Sequence, residues 1–315
     1  MTGFWLDGGG APVVAFGGNA LLPDPDKPEE AEQHATAFAE AVRFLLPDDS
    51  GIVLVHGNGP QVGAHLLRHE AGAQEVPPAP LDVLVADTQG SIGYLLSRAL
   101  RNANSDRAGE VAAIVTQVEV DPADPALTNP RKPVGPFYDP AEGAALASER
   151  GWDMVEVPGR GARRVVPSPV PIGVVELEEI RDVARHRLVI AGGGGGIPVA
   201  VIDGSIRGIE GVIDKDRTAS LIARLLDARG FLILTDVGHV SRAFGTPDEE
   251  PLHQMTAAEA EELLAAGEFP PGSMGPKIES CIAFARATGR PGVITSVEGL
   301  ADTLAGSDGT RIIPD

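Results

Sequence analysis

The segment Ile52-Val53-Leu54-Val55-His56-Gly57-Asn58-Gly59-Pro60 runs from a short apolar, β-branched stretch into a glycine-rich turn. The helical pattern Gln61–Ala71 follows it directly. A buried strand, a tight turn and a helix in this order are typical of a parallel sheet, and the same order recurs along the chain. We therefore predict an α/β fold in which helices cover both faces of a mainly parallel sheet.

Strands and helices alternate through most of the remaining sequence. Apolar runs predict buried strands at Pro12–Phe16, Ile52–Val55, Val111–Val115, Arg187–Ala191, Phe231–Leu234 and Gly292–Thr295. Helical spacing predicts helices from Ala31 to Leu45, at Gln61–Ala71, Thr88–Asn102 and Asp216–Arg229, after a Thr256/Glu259 capping box, and at Met274–Thr288.

Two segments interrupt this alternation of strands and helices. The proline-rich Asp121–Ile172 is predicted to be an inserted subdomain or lid, and Asp203-Gly204 signals a hairpin within Val199–Ile213.

Composition limits the class of protein. The 315 residues suffice for one large α/β domain or two modest lobes, and no apolar run of 18 residues predicts a membrane span. The formal charge of −20 would repel nucleic acid and anionic lipid. Cys281 is the one cysteine and lies on the apolar face of a predicted helix, so we expect a core residue and a reducing, cytoplasmic location. No histidines show metal-ligand spacing, so no protein-bound metal is predicted.

Three glycine clusters directly follow predicted strands, at Gly17-Gly18-Asn19, Gly57-Asn58-Gly59 and Gly192–Gly196. At the carboxyl end of a strand, glycine lets backbone N–H groups approach a phosphate. The alternative is that glycine only makes tight turns. Three such clusters together favour an anion site. None fits the P-loop or dinucleotide-binding pattern, which excludes both of those classes.

Lysine is rare and is placed unusually. Only four of the 25 basic residues are lysine, namely Lys27, Lys132, Lys215 and Lys277. Lys215 and Lys277 begin predicted helices, where a cation opposes the helix dipole unless an anion joins it. Such cations are what phosphoryl transfer requires. Asp214 and Asp216 flank Lys215, either to hold its ammonium group or as a solvated turn. Lys132 lies between prolines in the predicted lid and is either a substrate contact or a bystander.

With these segments in view, the chain closely resembles the carbamate kinases of the amino acid kinase superfamily. The resemblance is collinear over about 300 residues and rests on the motifs Ala15–Ala20, His56–Gly63, Gln89–Tyr94, Thr116–Val118, Lys132–Tyr138, Arg164–Pro169, Gly193–Pro198, Val212–Asp216, Leu234–Val237 and Pro271–Lys277. It implies a three-layer αβα sandwich with the amino acid kinase fold, formed by one domain over 1–315. It also implies a protruding substrate lid at 121–172, a nucleotide-binding lobe at about 173–315, and a homodimer.

The resemblance also implies an activity and its residues. The expected reaction passes a phosphoryl group between carbamoyl phosphate and ADP, giving ATP and carbamate, with Mg²⁺ arriving on the nucleotide. The residues that match the catalytic positions are Lys132, Lys215, Asp216 and Lys277. Those expected to hold substrate and phosphate are Gly17, Gly18, Asn19, Gly57, Asn58, Gly59, Gly194 and Gly195. Those expected near the nucleotide are Thr235, Asp236, Val237, Met274 and Gly275, together with the Val240–Pro247 stretch.

The sequence departs from the family pattern in two places, and two alternative functions remain. Arg217–Ser220 and Ser241–Ala243 differ from the family pattern, which bears on the nucleotide contacts. A kinase acting on another small carboxylate is one alternative, and the Lys132 segment argues against it. A nucleotide-holding regulator without turnover is the other, and the presence of Lys215, Asp216 and Lys277 argues against that. Tyr94 and Tyr138 are predicted to be packing residues.

Overall fold

The structure is a computed structural model that describes residues 8–17, 30–42, 45, 51–103, 110–270 and 272–315. Its strands, in chain order, are β1 (Val13–Phe16), β2 (Ile52–His56), β3 (Val111–Ala113), β4 (Gln117–Val120), β5 (Lys132–Tyr138), β6 (Met154–Val157), β7 (Gly161–Val166), β8 (Pro171–Val174), β9 (Leu188–Ile190), β10 (Ile197–Ile202), β11 (Ser205–Gly208), β12 (Phe231–Thr235), β13 (Val240–Arg242), β14 (Glu250–Leu252), β15 (Gln254–Thr256), β16 (Gly292–Ser296) and β17 (Thr310–Ile313). Its α-helices are α1 (Ala31–Val42), α2 (Gly59–Gly72), α3 (Leu81–Ala103), α4 (Pro140–Arg150), α5 (Leu177–Val183), α6 (Lys215–Leu225), α7 (Ala257–Ala265), α8 (Met274–Thr288) and α9 (Leu300–Ala305).

An eight-stranded sheet forms the centre, in the order β15-β17-β16-β12-β1-β2-β9-β3. Every pairing in it is parallel except that between β16 and β17. The prediction of a mainly parallel sheet is therefore confirmed. Each predicted strand is present, with ends within about two residues of the predicted ones.

Side chains alternate across the sheet and build one apolar layer on each face. From β1, Val13 and Ala15 enter a core cluster with α6 and α8, whereas Val14 and Phe16 enter a second cluster with α1 and α3. Helices therefore cover both faces of the sheet, which confirms the three-layer αβα sandwich. The six strands from β16 to β3 in this order direct their carboxyl ends to the same edge, and this edge carries the candidate site.

The segment predicted to be a lid contains more regular structure than its sequence indicates. A separate three-stranded antiparallel sheet, β5-β7-β6, packs with α4, and we call these elements the lid sheet. Val134 and Val166 of the lid sheet join Val62 of α2 and Leu84 of α3 in a small apolar cluster. The last predicted lid residues, in β8, pair instead with β4.

The remaining predictions concern local details. The hairpin at Asp203-Gly204 is present, since β10 and β11 pair antiparallel on either side of it. The capping box at Thr256 and Glu259 is present as well. Cys281 is fully buried, and this burial raises the pKa of its thiol, with a further contribution from Asp216. Among the described residues no helix is long and apolar enough to cross a bilayer.

Candidate active site at the carboxyl edge of the sheet

A cavity of about 830 Å³ lies at the carboxyl edge of the central sheet. The loops after β1, β2 and β12 and the first turns of α6 and α8 form its walls. Of the predicted site residues, those lining it are Gly17, Gly57, Asn58, Gly59, Lys132, Gly194, Lys215, Asp216, Thr235, Asp236 and Lys277. Those that do not line it are Gly195, Val237, Met274 and Gly275, while Gly18 and Asn19 lie outside the described residues.

One carboxylate joins the two lysines at the helix starts. Lys215 Nζ donates to Asp216 Oδ1 at 2.9 Å, and Lys277 Nζ donates to Asp216 Oδ2 at 2.8 Å. The Asp216 side chain is 3% exposed, against 14% for Lys215 and 12% for Lys277. Two ammonium groups therefore share one nearly buried carboxylate. The cluster carries one net positive charge in the wall of the cavity.

The two lysines differ in how strongly they hold their protons. Burial disfavours the charge of Lys215, but Asp216 and Asp214 outweigh that effect and raise its pKa. Burial and the positive charge of Lys215 lower the pKa of Lys277, although Asp216 opposes this shift. An anion in the cavity would favour the ammonium form of both groups, because nearby negative charge favours the charged form.

Lys132 reaches the same cavity from the lid sheet. Its Nζ donates to Asp214 Oδ2 at 2.7 Å. Asp214 precedes α6 and caps it, because its Oδ1 accepts the backbone N–H of Asp216 at 3.0 Å. Burial alone would raise the pKa of Asp214, but Lys132 and Lys215 hold it well below its usual range. The sequence allowed Asp214 to be either a holder of an ammonium group or part of a solvated turn. In the structure Asp214 is partly buried and forms an ion pair with Lys132.

Neighbouring atoms pack closely against the glycine loop that follows β9, so there is little room for side chains in it. Gly194 has φ +67°, and a Cβ there would collide with the side-chain amide of Asn58. Asn58 is itself held, because its Nδ2 donates to Thr88 Oγ1 at 2.9 Å. A Cβ at Gly195 would collide with the Ile213 carbonyl. Tight backbone packing is a sufficient reason for glycine at this position, and the predicted phosphate contact of Gly195 stays a prediction.

His56 shapes the second glycine loop. Its Nδ1 donates to the Gly57 carbonyl at 3.0 Å, and the side chain is fully buried. Burial lowers the pKa of His56 from 6.5 to about 4, so the ring is neutral near pH 7. The hydrogen bond and the uncharged ring fit a role for His56 in shaping the loop. Within the part of the chain that the structure describes, no cluster of potential metal-ligating side chains occurs.

Some cavity residues were not singled out from the sequence. They are His34 and Phe38 of α1, Ser273 before α8, and Val297 and Glu298 after β16. Val297 and Glu298 follow a predicted strand directly, so the rule that ligands gather at carboxyl ends could have found them. For His34 and Phe38 the sequence offered only helical periodicity, which does not distinguish a core side chain from a site residue.

A second cavity, of about 630 Å³, adjoins the first and shares Lys132 and Asp214 with it. Arg131, Arg163 and Arg217 also line it. The Lys132–Asp214 ion pair therefore stands where the two spaces meet. Arg217 is paired with Glu279 at 2.7 Å, whereas no carboxylate of the described residues lies within ion-pair distance of Arg131 or Arg163. In a chain of charge −20, this local excess of cations attracts anions toward the cavity.

Known proteins resemble this chain over nearly its whole length. The profile of the amino acid kinase family matches residues 11–296. The carbamate kinase of Thermococcus kodakarensis is 44% identical over 309 residues, covering 96% of this chain and 98% of that protein. Carbamate kinase 1 of Enterococcus faecium is 46% identical over 295 residues, covering 91% and 94%. The structure of carbamate kinase from Giardia lamblia bound to AMP-PNP matches with a TM-score of 0.89 and 39% identity, covering 98% of this chain and 100% of that one.

Proposed function

The chain belongs to the amino acid kinase family, within its carbamate kinases, and from that premise we propose how its residues divide the work of the reaction. The enzyme passes a phosphoryl group between carbamoyl phosphate and ADP, giving ATP and carbamate. We assign the stabilisation of the transferring group to Lys215 and Lys277, and the placing of both ammonium groups to Asp216. The sharing of one nearly buried carboxylate by these two lysines carries the proposal.

The physical reason lies in the transition state. The phosphoryl group in flight spreads negative charge over its oxygens, and catalysis consists of positioning and charge neutralisation. Ammonium groups that are already held by Asp216 need little reorganisation when that charge develops. One net positive charge remains in the cluster to be neutralised by the phosphoryl group. Each lysine keeps donor protons that the carboxylate does not use.

The glycine loops are proposed to hold the small substrate and its phosphate. Gly57, Asn58 and Gly59 stand at the start of α2 and line the cavity, and the N-terminus of a helix favours a bound anion. Gly17 and Gly194 face them, and we extend the assignment to Gly18 and Asn19 from the sequence. Thr235 and Asp236 are proposed to lie on the nucleotide side, with Val237, Met274 and Gly275 beside them. The β13–β14 hairpin is the proposed neighbour of the adenine.

The division of the chain is part of the proposal. We propose one kinase domain over 1–315, with 121–172 as the substrate lid and about 173–315 as the nucleotide lobe. The antiparallel pairing of β5, β6 and β7 among themselves, apart from the central sheet, supports a lid that moves as a unit. Closure over the cavity would exclude water from the transferring phosphoryl group.

Mg²⁺ is proposed to enter with the nucleotide rather than to reside in the protein. Both oxygens of Asp216 accept lysine ammonium groups, and both oxygens of Asp214 accept other donors. Asp236 and Glu298 also line the cavity and are the carboxylates that could assist. Such a donor set fits an ion held mainly by phosphate oxygens and water. The ion would neutralise phosphate charge.

A homodimer is proposed, with its contact near the β3 edge of the central sheet. Tyr94 of α3 is 60% exposed and Val115, just beyond β3, is 56% exposed. An open sheet edge beside exposed apolar side chains favours a second copy. Sedimentation should give twice the chain mass, and Val115→Asp should shift the protein toward monomer. A wild-type monomer at working concentration would contradict the proposal.

A cytoplasmic location is proposed from the cysteine content. The one thiol of the sequence is buried in α8 and can form no intrachain disulfide, which fits a reducing compartment. Cell fractionation against a cytosolic marker would test this. Recovery of the native protein outside the cytosolic fraction would overturn it.

Lys132→Ala is expected to reduce ATP formation from carbamoyl phosphate and MgADP by about 10²-fold in kcat/KM, because a misplaced or missing positioning group costs about that much. EDTA is expected to stop wild-type turnover. The matched control is Arg207→Ala, which removes an exposed cation of β11 that lines neither cavity and should keep wild-type kinetics. Full activity of Lys132→Ala would remove Lys132 from the proposed mechanism.

A further inference from the structure

The Lys132–Asp214 ion pair connects two parts of the chain that are 82 residues apart. Lys132 begins β5 of the lid sheet, and Asp214 precedes α6 of the main body. The Lys132 side chain is 31% exposed and that of Asp214 is 14% exposed, so the pair is partly shielded from water. Partial shielding makes the pair stronger than a surface salt bridge.

Asp214 cannot follow Lys132 if the lid sheet moves. Its second oxygen is engaged by the backbone N–H of Asp216, which fixes the carboxylate to the start of α6. On the other side, Pro133 follows Lys132 and Pro130 lies two residues before it, which stiffens the backbone that carries the lysine. The ion pair therefore forms only when the lid sheet and the start of α6 are in one particular arrangement.

Asp214 places a carboxylate in the wall of a cavity that is proposed to bind anions, and its presence there needs an explanation. Negative charge there weakens the binding of an anionic substrate, and Asp216 already holds the two helix lysines. Asp214 adds to the negative charge that raises the pKa of Lys215, but the lysine hydrogen bond that Asp214 accepts comes from Lys132. The helix cap alone does not demand a charge, because Asn and Ser cap helices as well as Asp.

We propose that Asp214 is a positioning residue for Lys132: it holds the lid lysine beside Lys215 before the substrate binds and so prepares the arrangement in which Lys132 meets the phosphoryl group. This inference rests on the proposed role of Lys132. In this role Asp214 acts through Lys132 rather than on the reacting atoms. Lys132 has one described hydrogen-bond acceptor, so its remaining donor protons are available to an anion.

If Asp214 positions Lys132, its replacement should lower kcat without raising KM. Asp214→Asn keeps a capping side chain but removes the charge that holds Lys132. We expect kcat to fall about tenfold, within the range found for directly coupled residues. We expect the KM for carbamoyl phosphate to stay level or to fall, because a negative charge leaves the anion site. A residue that served only the helix cap would leave both constants at wild-type values in Asp214→Asn.

A double-mutant cycle tests whether the effect passes through Lys132. The variants are Asp214→Asn, Lys132→Met and the two together, each checked by its thermal unfolding midpoint. We expect the double variant to equal Lys132→Met alone, because Asp214 has nothing left to position. Asp214→Ala, which removes the cap as well, should lower the unfolding midpoint but match Asp214→Asn in kcat.

Two outcomes would overturn the inference. One is wild-type kinetics in Asp214→Asn, and the other is a double variant whose loss is the product of the single losses. Either would leave the proposed role of Lys132 intact, provided that Lys132→Met is itself impaired. Full activity of Lys132→Met would remove both proposals together, so the two failures are distinguishable.

Discussion

Asp216→Ala is expected to lose about 10²–10³ in kcat and about 3 kcal/mol in the free energy of unfolding. Two ammonium groups that share the carboxylate would face each other without it, in a wall where they are 14% and 12% exposed. Each would repel the other, and neither would stay where the phosphoryl group needs it. Breaking a buried ion pair costs about 3–5 kcal/mol. We expect a value near the lower end of that range, because water in the cavity can reach the two lysines.

Two measurements check this expectation. Chemical denaturation gives the free energy of unfolding, and ATP formation under saturating substrates gives kcat. Glu279→Ala is the matched control: it removes the carboxylate of a more exposed ion pair with Arg217 and should change the free energy of unfolding by less than about 1 kcal/mol. An Asp216→Ala protein as stable and as active as the wild type would show that the lysines do not depend on Asp216.

Lys277→Ala is expected to lower kcat by about 10²–10³, with a much smaller change in KM for either substrate. The reason is that its ammonium is proposed to neutralise charge that develops mainly as the phosphoryl group leaves. An interaction realised only in the transition state affects kcat and kcat/KM alike. Steady-state kinetics with each substrate varied in turn would measure both. A rise in KM at unchanged kcat would assign Lys277 to ground-state binding instead.

The pH dependence of kcat/KM tests whether the charge of Lys277 is what the reaction requires. Its pKa is lowered by burial and by Lys215, so the free enzyme loses this cation at a lower pH than an ordinary lysine would. The charged form is the active one, and kcat/KM should therefore fall as pH rises through that pKa. The pKa of Lys215 is raised, so Lys215 should stay charged there. In Lys277→Arg the residual activity should lack this alkaline fall, because a guanidinium stays charged. An identical fall in both proteins would exclude Lys277 as its source.

The central sheet could be predicted from the sequence because its strands are buried on both faces. Such strands read as continuous apolar runs, and Phe231–Thr235 is an example, buried at every position but the last. Helix ends were less accurate. α3 begins at Leu81 rather than Thr88, because Leu81, Leu84 and Val85 pack against the lid sheet and not against the central core. α6 ends at Leu225 rather than Arg229, and Asp227 then adopts a positive φ of 49°.

The lid sheet could not be predicted for a different reason. β5 contains Pro133 and Pro136, which remove ladder donors and argue against a strand. The strand forms because it lies at the edge of its sheet, with a register irregularity between Val134 and Phe137 and a positive φ at Gly135. Edge position and irregular register are properties of the assembled sheet, which no local pattern contains.

The site was only partly accessible from the sequence. Lysines at helix starts could be singled out, since their placement is locally unfavourable. The pairing of Lys215 with its neighbour Asp216 was one of two interpretations that the sequence allowed. The residues alone could not indicate the long-range pairings, because Asp216 meets Lys277 across 61 residues and Asp214 meets Lys132 across 82. Tyr94 was predicted to be a packing residue from the general behaviour of aromatic side chains, yet it is 60% exposed on α3.

The clustering of lysines has a consequence for amine chemistry. Three of the four lysines of the sequence line a single cavity, and each is tied to an aspartate there. Acylating reagents, amine crosslinkers and amine-coupled surfaces, which modify the outside of most proteins, find few lysine targets on this one. The outer cations are mainly guanidinium groups, so amine reagents act on this enzyme chiefly as probes of its interior, and a ligand that fills the cavity shields most of its lysines at once.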